Sequence, residues 1–211
     1  MTEAEWLTCT DPQKMLECLP EQLSHRKAML FACGCCRHVW DQLLSDLARD
    51  TVDATERQAD ALPGGSDILQ SFDIWSQIDQ EGGWLQNKIS RGLYLAGRDG
   101  WSGAREVAWE TSFLAPRRKE RQYQTALLRC IIGSSLFRPV IADPAWLTWQ
   151  NGTILKLAQA IYQERAFDGL PVLADALEEA GCTNNDILDH CRKQREHVRG
   201  CWVVDLILGE K

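Results

Sequence analysis

Apolar positions recur along this chain at steps of three and four, a spacing that predicts helices from one end to the other. The clearest stripe is Met29, Cys33, Cys36, Val39, Trp40, Leu43, Leu44 and Leu47. It runs on through Val52 to Leu62, with a break near Ser45, and ends at Pro63-Gly64-Gly65. Ahead of it, Thr2 to Glu5 has capping-box spacing and opens a short helix through Trp6 and Leu7. Asp11-Pro12 sets a cap before a proline in the first turn and starts a second helix that Pro20 stops, and Ser24 caps a third. Ser66 caps the next, with Ile68, Leu69, Phe72, Trp75 and Ile78 on one side, until Gly82-Gly83 interrupts.

The stretch that follows is rich in Trp and Gly and predicts two short helices, since glycine weakens helices. Past Pro116, Arg118 to Ile132 forms a clearer helix that Gly133 ends in the left-handed conformation. Phe137 to Val140 reads as extended chain around Pro139. Asp143-Pro144 repeats the cap-plus-proline device, and Trp146-Leu147-Thr148 echoes Trp6-Leu7-Thr8. Ile154, Leu155, Leu157, Ala158 and Ile161 form a helical face beyond the Asn151-Gly152 turn. Pro171 opens a helix that Gly181 closes, and Thr183 to Asp186 has capping-box form before Ile187 and Leu188. The apolar run Cys201 to Leu208 carries β-branched residues but has no sheet to join, so it reads as helix. The expected fold is all-α, a multi-helix, bundle-like domain of short capped helices. Residues 1–62 form an N-terminal half, 63–117 a variable middle and 118–211 a C-terminal half, expected to act as one cooperative domain.

Composition narrows the function classes. The 211 residues carry 23 basic and 30 acidic side chains, net −7 with a pI near 5.1, which argues against a surface built throughout to hold nucleic acid. An apolar content of 45% is that of an ordinary globular protein. No segment approaches the roughly 20 apolar residues of a membrane helix, and no signal-peptide pattern opens the chain, so the expectation is a cytoplasmic protein without a membrane partner. Nine cysteines are an odd number, so complete intramolecular pairing is impossible, and reduced thiols are expected. Nine tryptophans, from Trp6 to Trp202, are expected to fill the core for the most part.

Two Cys/His clusters offer metal chemistry, because thiolates and imidazoles are the natural zinc donors. In Cys33-Gly34-Cys35-Cys36-Arg37-His38, Cys33 and Cys36 share one helix face while Cys35 and His38 share another. Four donors cannot converge from one regular helix, so core thiols are the expectation there. The second cluster is His190, Cys191, His197 and Cys201, with Cys182 upstream. His197 and Cys201 are four apart, on one face if the last helix begins by His197, while His190-Cys191 approach from the end of the preceding helix. No GxSxG elbow, phosphate loop or HExxH motif is present, so no catalytic residue and no cofactor is assigned. Two basic stretches stand out against the acidic average: Arg117, Arg118, Lys119 and Arg121, and Arg192, Lys193, Arg195 and Arg199. They are candidate contacts for nucleic acid or an acidic partner.

Two blocks also resemble a bacterial family with no assigned reaction. The first comprises MTEAEWLTCTDPQKML and SHRKAMLFACGCCRHVW; the second is FRPVIADPAWLTWQNGTILKLAQAIYQERAFDGLPVLADALEEAGC…HVRGCWVVDLILG. Together they cover Met1 to about Trp40 and Phe137 to Gly209. The resemblance implies a cytoplasmic helical protein and adds no mechanism; family members carry a variable, often alanine-rich middle, so nothing transfers to residues 63–116. The leading expectation is therefore a non-enzymatic protein–protein interaction module. A zinc-stabilised helical protein is the second reading, and nucleic-acid binding through the basic stretches the third.

Overall fold

In the computed structural model, which describes residues 1–19, 24–43, 46–61, 84–138, 140–193 and 195–210, the chain is all-α. Among these residues there are helices α1 (Glu3–Thr8), α2 (Pro12–Glu17), α3 (His25–His38), α4 (Asp46–Ala59), α5 (Trp84–Asp99) and α6 (Trp101–Thr111). They are followed by α7 (Arg117–Ile132), α8 (Pro144–Thr148), α9 (Thr153–Glu164), α10 (Leu170–Glu179), α11 (Asn185–Arg192) and α12 (Trp202–Leu208), with short 3-10 turns between some of them and no strand. The chain divides into two compact units, residues 1–128 and 129–211.

The first unit is built around α3. Ala28 through Cys36 are buried without a break, so this helix is covered on every side. It packs on α4, α5 and α6. The stripe expected to run on to Leu62 is instead cut at His38; a 3-10 turn (Trp40–Gln42) follows and α4 opens a new helix at Asp46. Arg37 fastens the two helices by ion pairs to Asp53 and Glu56 of α4. Sequence expectations at Pro20, at the Ser45 break and across residues 62–83, including the Ser66-capped helix, fall outside the described residues.

Glycine explains the next two helices rather than weakening them. They run 16 and 11 residues and are not short, because their glycines let them pack closely. A Cβ at Gly103 would lie 2.1 Å from the Ala96 amide nitrogen, and one at Gly92 would lie 2.7 Å from the Val107 side chain. Backbone contact of that kind buries enough surface to offset the low helix propensity of glycine.

Local cap chemistry sets the short helices. Thr2 and Glu5 exchange both hydrogen bonds of a capping box, and the carboxylates of Asp11 and Asp143 accept from Gln13 N and Ala145 N. Trp6 and Trp146 are each buried in a short helix. In the second unit α9 packs on α8, α10 and α12, and α10 on α11. The cap of α11 is Asn184 rather than Thr183: its side chain accepts from Asp186 N at 2.9 Å. The final apolar run is helical from Trp202, not from His197. Of the tryptophans whose side chains are described, Trp6, Trp101, Trp146 and Trp202 are buried, Trp40 and Trp149 are half-buried, and Trp109 is exposed.

Candidate metal centre

Four donors from three separate stretches of the second unit meet in its interior. The last turn of α7 supplies Cys130, fully buried. The last turn of α11 supplies His190, which the Asn184 cap places by fixing where that eight-residue helix begins. α11 ends at Arg192, and His197 comes from the irregular stretch 195–198, half-buried. Gly200, at φ +85°, then turns the chain so that Cys201 N donates to Val198 O at 3.0 Å and Cys201 caps α12. Trp202 wedges behind the group. Its ring lies 5.4 Å from that of His190, and it passes so close to Gly133 (φ +61°) that a Cβ there would sit 2.4 Å from the indole.

The spacing of the donors fits a tetrahedral ion. His190 Nε2 lies 3.2 Å from Cys201 Sγ, and His197 Nδ1 lies 3.6 Å from Cys130 Sγ and 4.0 Å from Cys201 Sγ. All four donor atoms lie within 4.8 Å of one another. A zinc tetrahedron with ordinary Zn–S and Zn–N bonds has edges of roughly 3.3–3.8 Å, so small side-chain adjustments close the shell. Burial opposes charge on Cys201, yet Cys130, His190 and His197 outweigh it and draw that thiol below its usual range. Burial and the adjoining Cys201 push Cys130 upward, so the two thiols give up their protons in separate steps as a coupled pair. Two sulfurs and two imidazoles with no oxygen donor form a set that selects zinc over the harder divalent ions.

The sequence names three of these four residues. Cys191, its fourth, does not belong to the group: it is buried, its burial raises its thiol, and Cys130 takes its place. The reason is helical geometry. Residues 190 and 191 are neighbours on one helix and point some 100° apart, so one of the two must turn away from any shared ion. His197 and Cys201 converge through a loop and a glycine turn rather than along one helix face. Cys130, 67 residues before His197, had no spacing signal and reads in sequence as one more apolar position beside Leu127, Leu128 and Ile131. Cys182 is buried outside the group. Cys33, Cys35 and Cys36 are core residues, and burial raises the latter two thiols.

The basic residues fall into two sets. Arg117, Arg118, Lys119 and Arg121 belong to the first unit, and among the described residues only Arg121 of these is ion-paired, to Asp11 at 2.7 Å. In the second unit Arg192 pairs with Asp175 and Glu178, and Lys193 with Asp189. Arg199 lies over the Tyr162 ring, and Arg195 is exposed. Arg192, Lys193 and Arg195 rim a surface cavity of about 830 Å³ that reaches His197. Among the described residues no helix is long and apolar enough to cross a membrane. No family model matches this chain, and neither a curated protein nor a solved structure does.

Proposed function

We propose that residues 129–211 form a zinc-stapled helical module, with Cys130, His190, His197 and Cys201 as the ligands of a structural ion. The observation that carries this reading is the convergence of two thiols and two imidazoles, all within 4.8 Å, on one point. Four protein ligands fill a tetrahedral shell and leave no position for water or substrate, which is the mark of a structural rather than a catalytic zinc. The ion joins the end of α7 to α11 and to the start of α12, across a loop whose closure by packing alone is entropically costly. The chain then works as a non-enzymatic helical module whose surface, not its metal, meets a partner.

The test is a thermal melt of the purified, zinc-loaded protein with and without a strong chelator, alongside cobalt substitution. A structural zinc couples folding to metal, so the chelator lowers the melting temperature and added zinc restores it. Cobalt in the same site gives the visible absorption of a tetrahedral, thiolate-bound ion. An unchanged melt together with a colourless cobalt titration would refute the proposal.

A further inference from the structure

The first unit carries an exposed aromatic platform beside three cations that have no acidic partner among the described residues. Trp109 on α6 is 44% exposed and Phe113, one turn on, 49%. Their rings meet edge to face at 5.4 Å. The turn between them is fixed by Ser112, whose hydroxyl donates to the Trp109 carbonyl at 2.6 Å. Arg117, the first residue of α7, lies over both rings, with its guanidinium carbon 4.9 Å and 5.0 Å from the two centroids. Arg118 and Lys119 follow, both exposed. Among the described residues none of the three cations has a carboxylate partner within 4 Å, whereas Arg121 and Lys193 of the same two basic stretches each have one and Arg192 has two.

Three consecutive positive charges also occupy the first turn of a 16-residue helix, the end at which the helix dipole favours anions. They repel one another and oppose the dipole, so the free protein carries an electrostatic strain that an anionic partner would relieve. We infer that Trp109, Phe113, Arg117, Arg118 and Lys119 form a docking surface for an acidic peptide segment of a partner protein. Its carboxylates meet the three cations, and a large apolar side chain seats against the Trp109–Phe113 pair. Arginine and tryptophan are the residues that most often anchor such contacts. The overall charge argues against a nucleic acid, since the chain as a whole is net −7 and a strand longer than three phosphates would have to extend beyond these three cations. This inference does not rest on the metal centre, which lies in the other unit.

The experiment is selection from a display library of random peptides of about a dozen residues, at low salt. The target is the zinc-loaded protein, and the R117E/R118E/K119E variant serves for counter-selection. Expected are sequences rich in Asp and Glu with an aromatic or large aliphatic residue, bound with an affinity that falls as sodium chloride rises. Charge reversal weakens a selected peptide by tenfold or more, and Trp109→Ala by about tenfold. Because the reversal suits the helix dipole, the variant keeps its helical circular dichroism, and lost binding cannot be ascribed to unfolding. Three results would each overturn the inference: no acidic enrichment, a selected peptide that binds the variant equally well, or an oligothymidylate bound more tightly than any selected peptide.

Discussion

Replacing Glu120 by Gln should stabilise the protein at alkaline pH and do little at acid pH. Glu120 lies on α7 with its side chain fully buried. Gln124 Nε2 donates to its Oε1 at 3.0 Å, while Oε2 has no hydrogen-bond partner among the described residues and lies 3.5 Å from His38 Nε2. Cys35 and Cys36 face it from α3, and their thiols are driven up by burial and by its charge. Desolvation raises its carboxyl from 4.5 to about 7, against the Gln124 hydrogen bond that favours the ionised form. The folded-state pKa is raised, so the native state holds a proton that the unfolded chain gives up near pH 4.5. Stability from the protonated form is complete below that pH and is lost as the pH rises to about 7. At about 1.4 kcal/mol per pH unit the loss totals roughly 3 kcal/mol. Gln cannot ionise and escapes it. Urea melts of both proteins between about pH 4 and pH 8.5, followed by circular dichroism, give the difference curve, in which groups distant from residue 120 cancel. The variant should gain about 3 kcal/mol relative to wild type between pH 4 and pH 8. A difference that stays flat, or falls with pH, would refute the reasoning.

Further outcomes follow from the packing. Gly103→Ala sets a methyl against the Ala96 backbone and should cost roughly 3 kcal/mol in urea melts, since neither helix can yield cheaply. Gly97→Ala meets first the flexible Gln58 side chain, at 3.3 Å, and should change stability by no more than about 1 kcal/mol. Under native conditions a thiol reagent should react with exposed Cys18 and more slowly with Cys9; the other seven thiols are buried and should appear only on denaturation with a chelator present. Asp143→Ala removes the cap of α8 and should lower stability by about 1 kcal/mol.

What was legible in the sequence is what local chemistry decides. Thr2, Asp11 and Asp143 cap helices where their spacing indicates, and Gly133 and Gly181 take positive φ. The final apolar run is helical from Trp202 to Leu208 despite its β-branched residues, since no strand exists among the described residues to pair with it. What was not legible depends on contacts between distant residues. Gly92 and Gly103 look like helix breakers until the opposing backbone is seen. Cys130 becomes a candidate ligand only because α7 ends beside α11 and α12, and no spacing rule spans 67 residues. The one-residue difference between Thr183 and Asn184 as the cap of α11 has a similar origin. Either side chain can cap, and the burial of Ile187 and Leu188 selects the register that points them inward.

Zinc content of three purified proteins, wild type, Cys130→Ala and Cys191→Ala, tests the central claim most directly. The two cysteines are both buried, and the sequence favours Cys191 while the geometry favours Cys130. Near one zinc per chain in wild type and in Cys191→Ala, with loss of tight binding in Cys130→Ala, is the predicted result. Zinc retained by Cys130→Ala but lost from Cys191→Ala, or zinc absent from all three after loading, would contradict it.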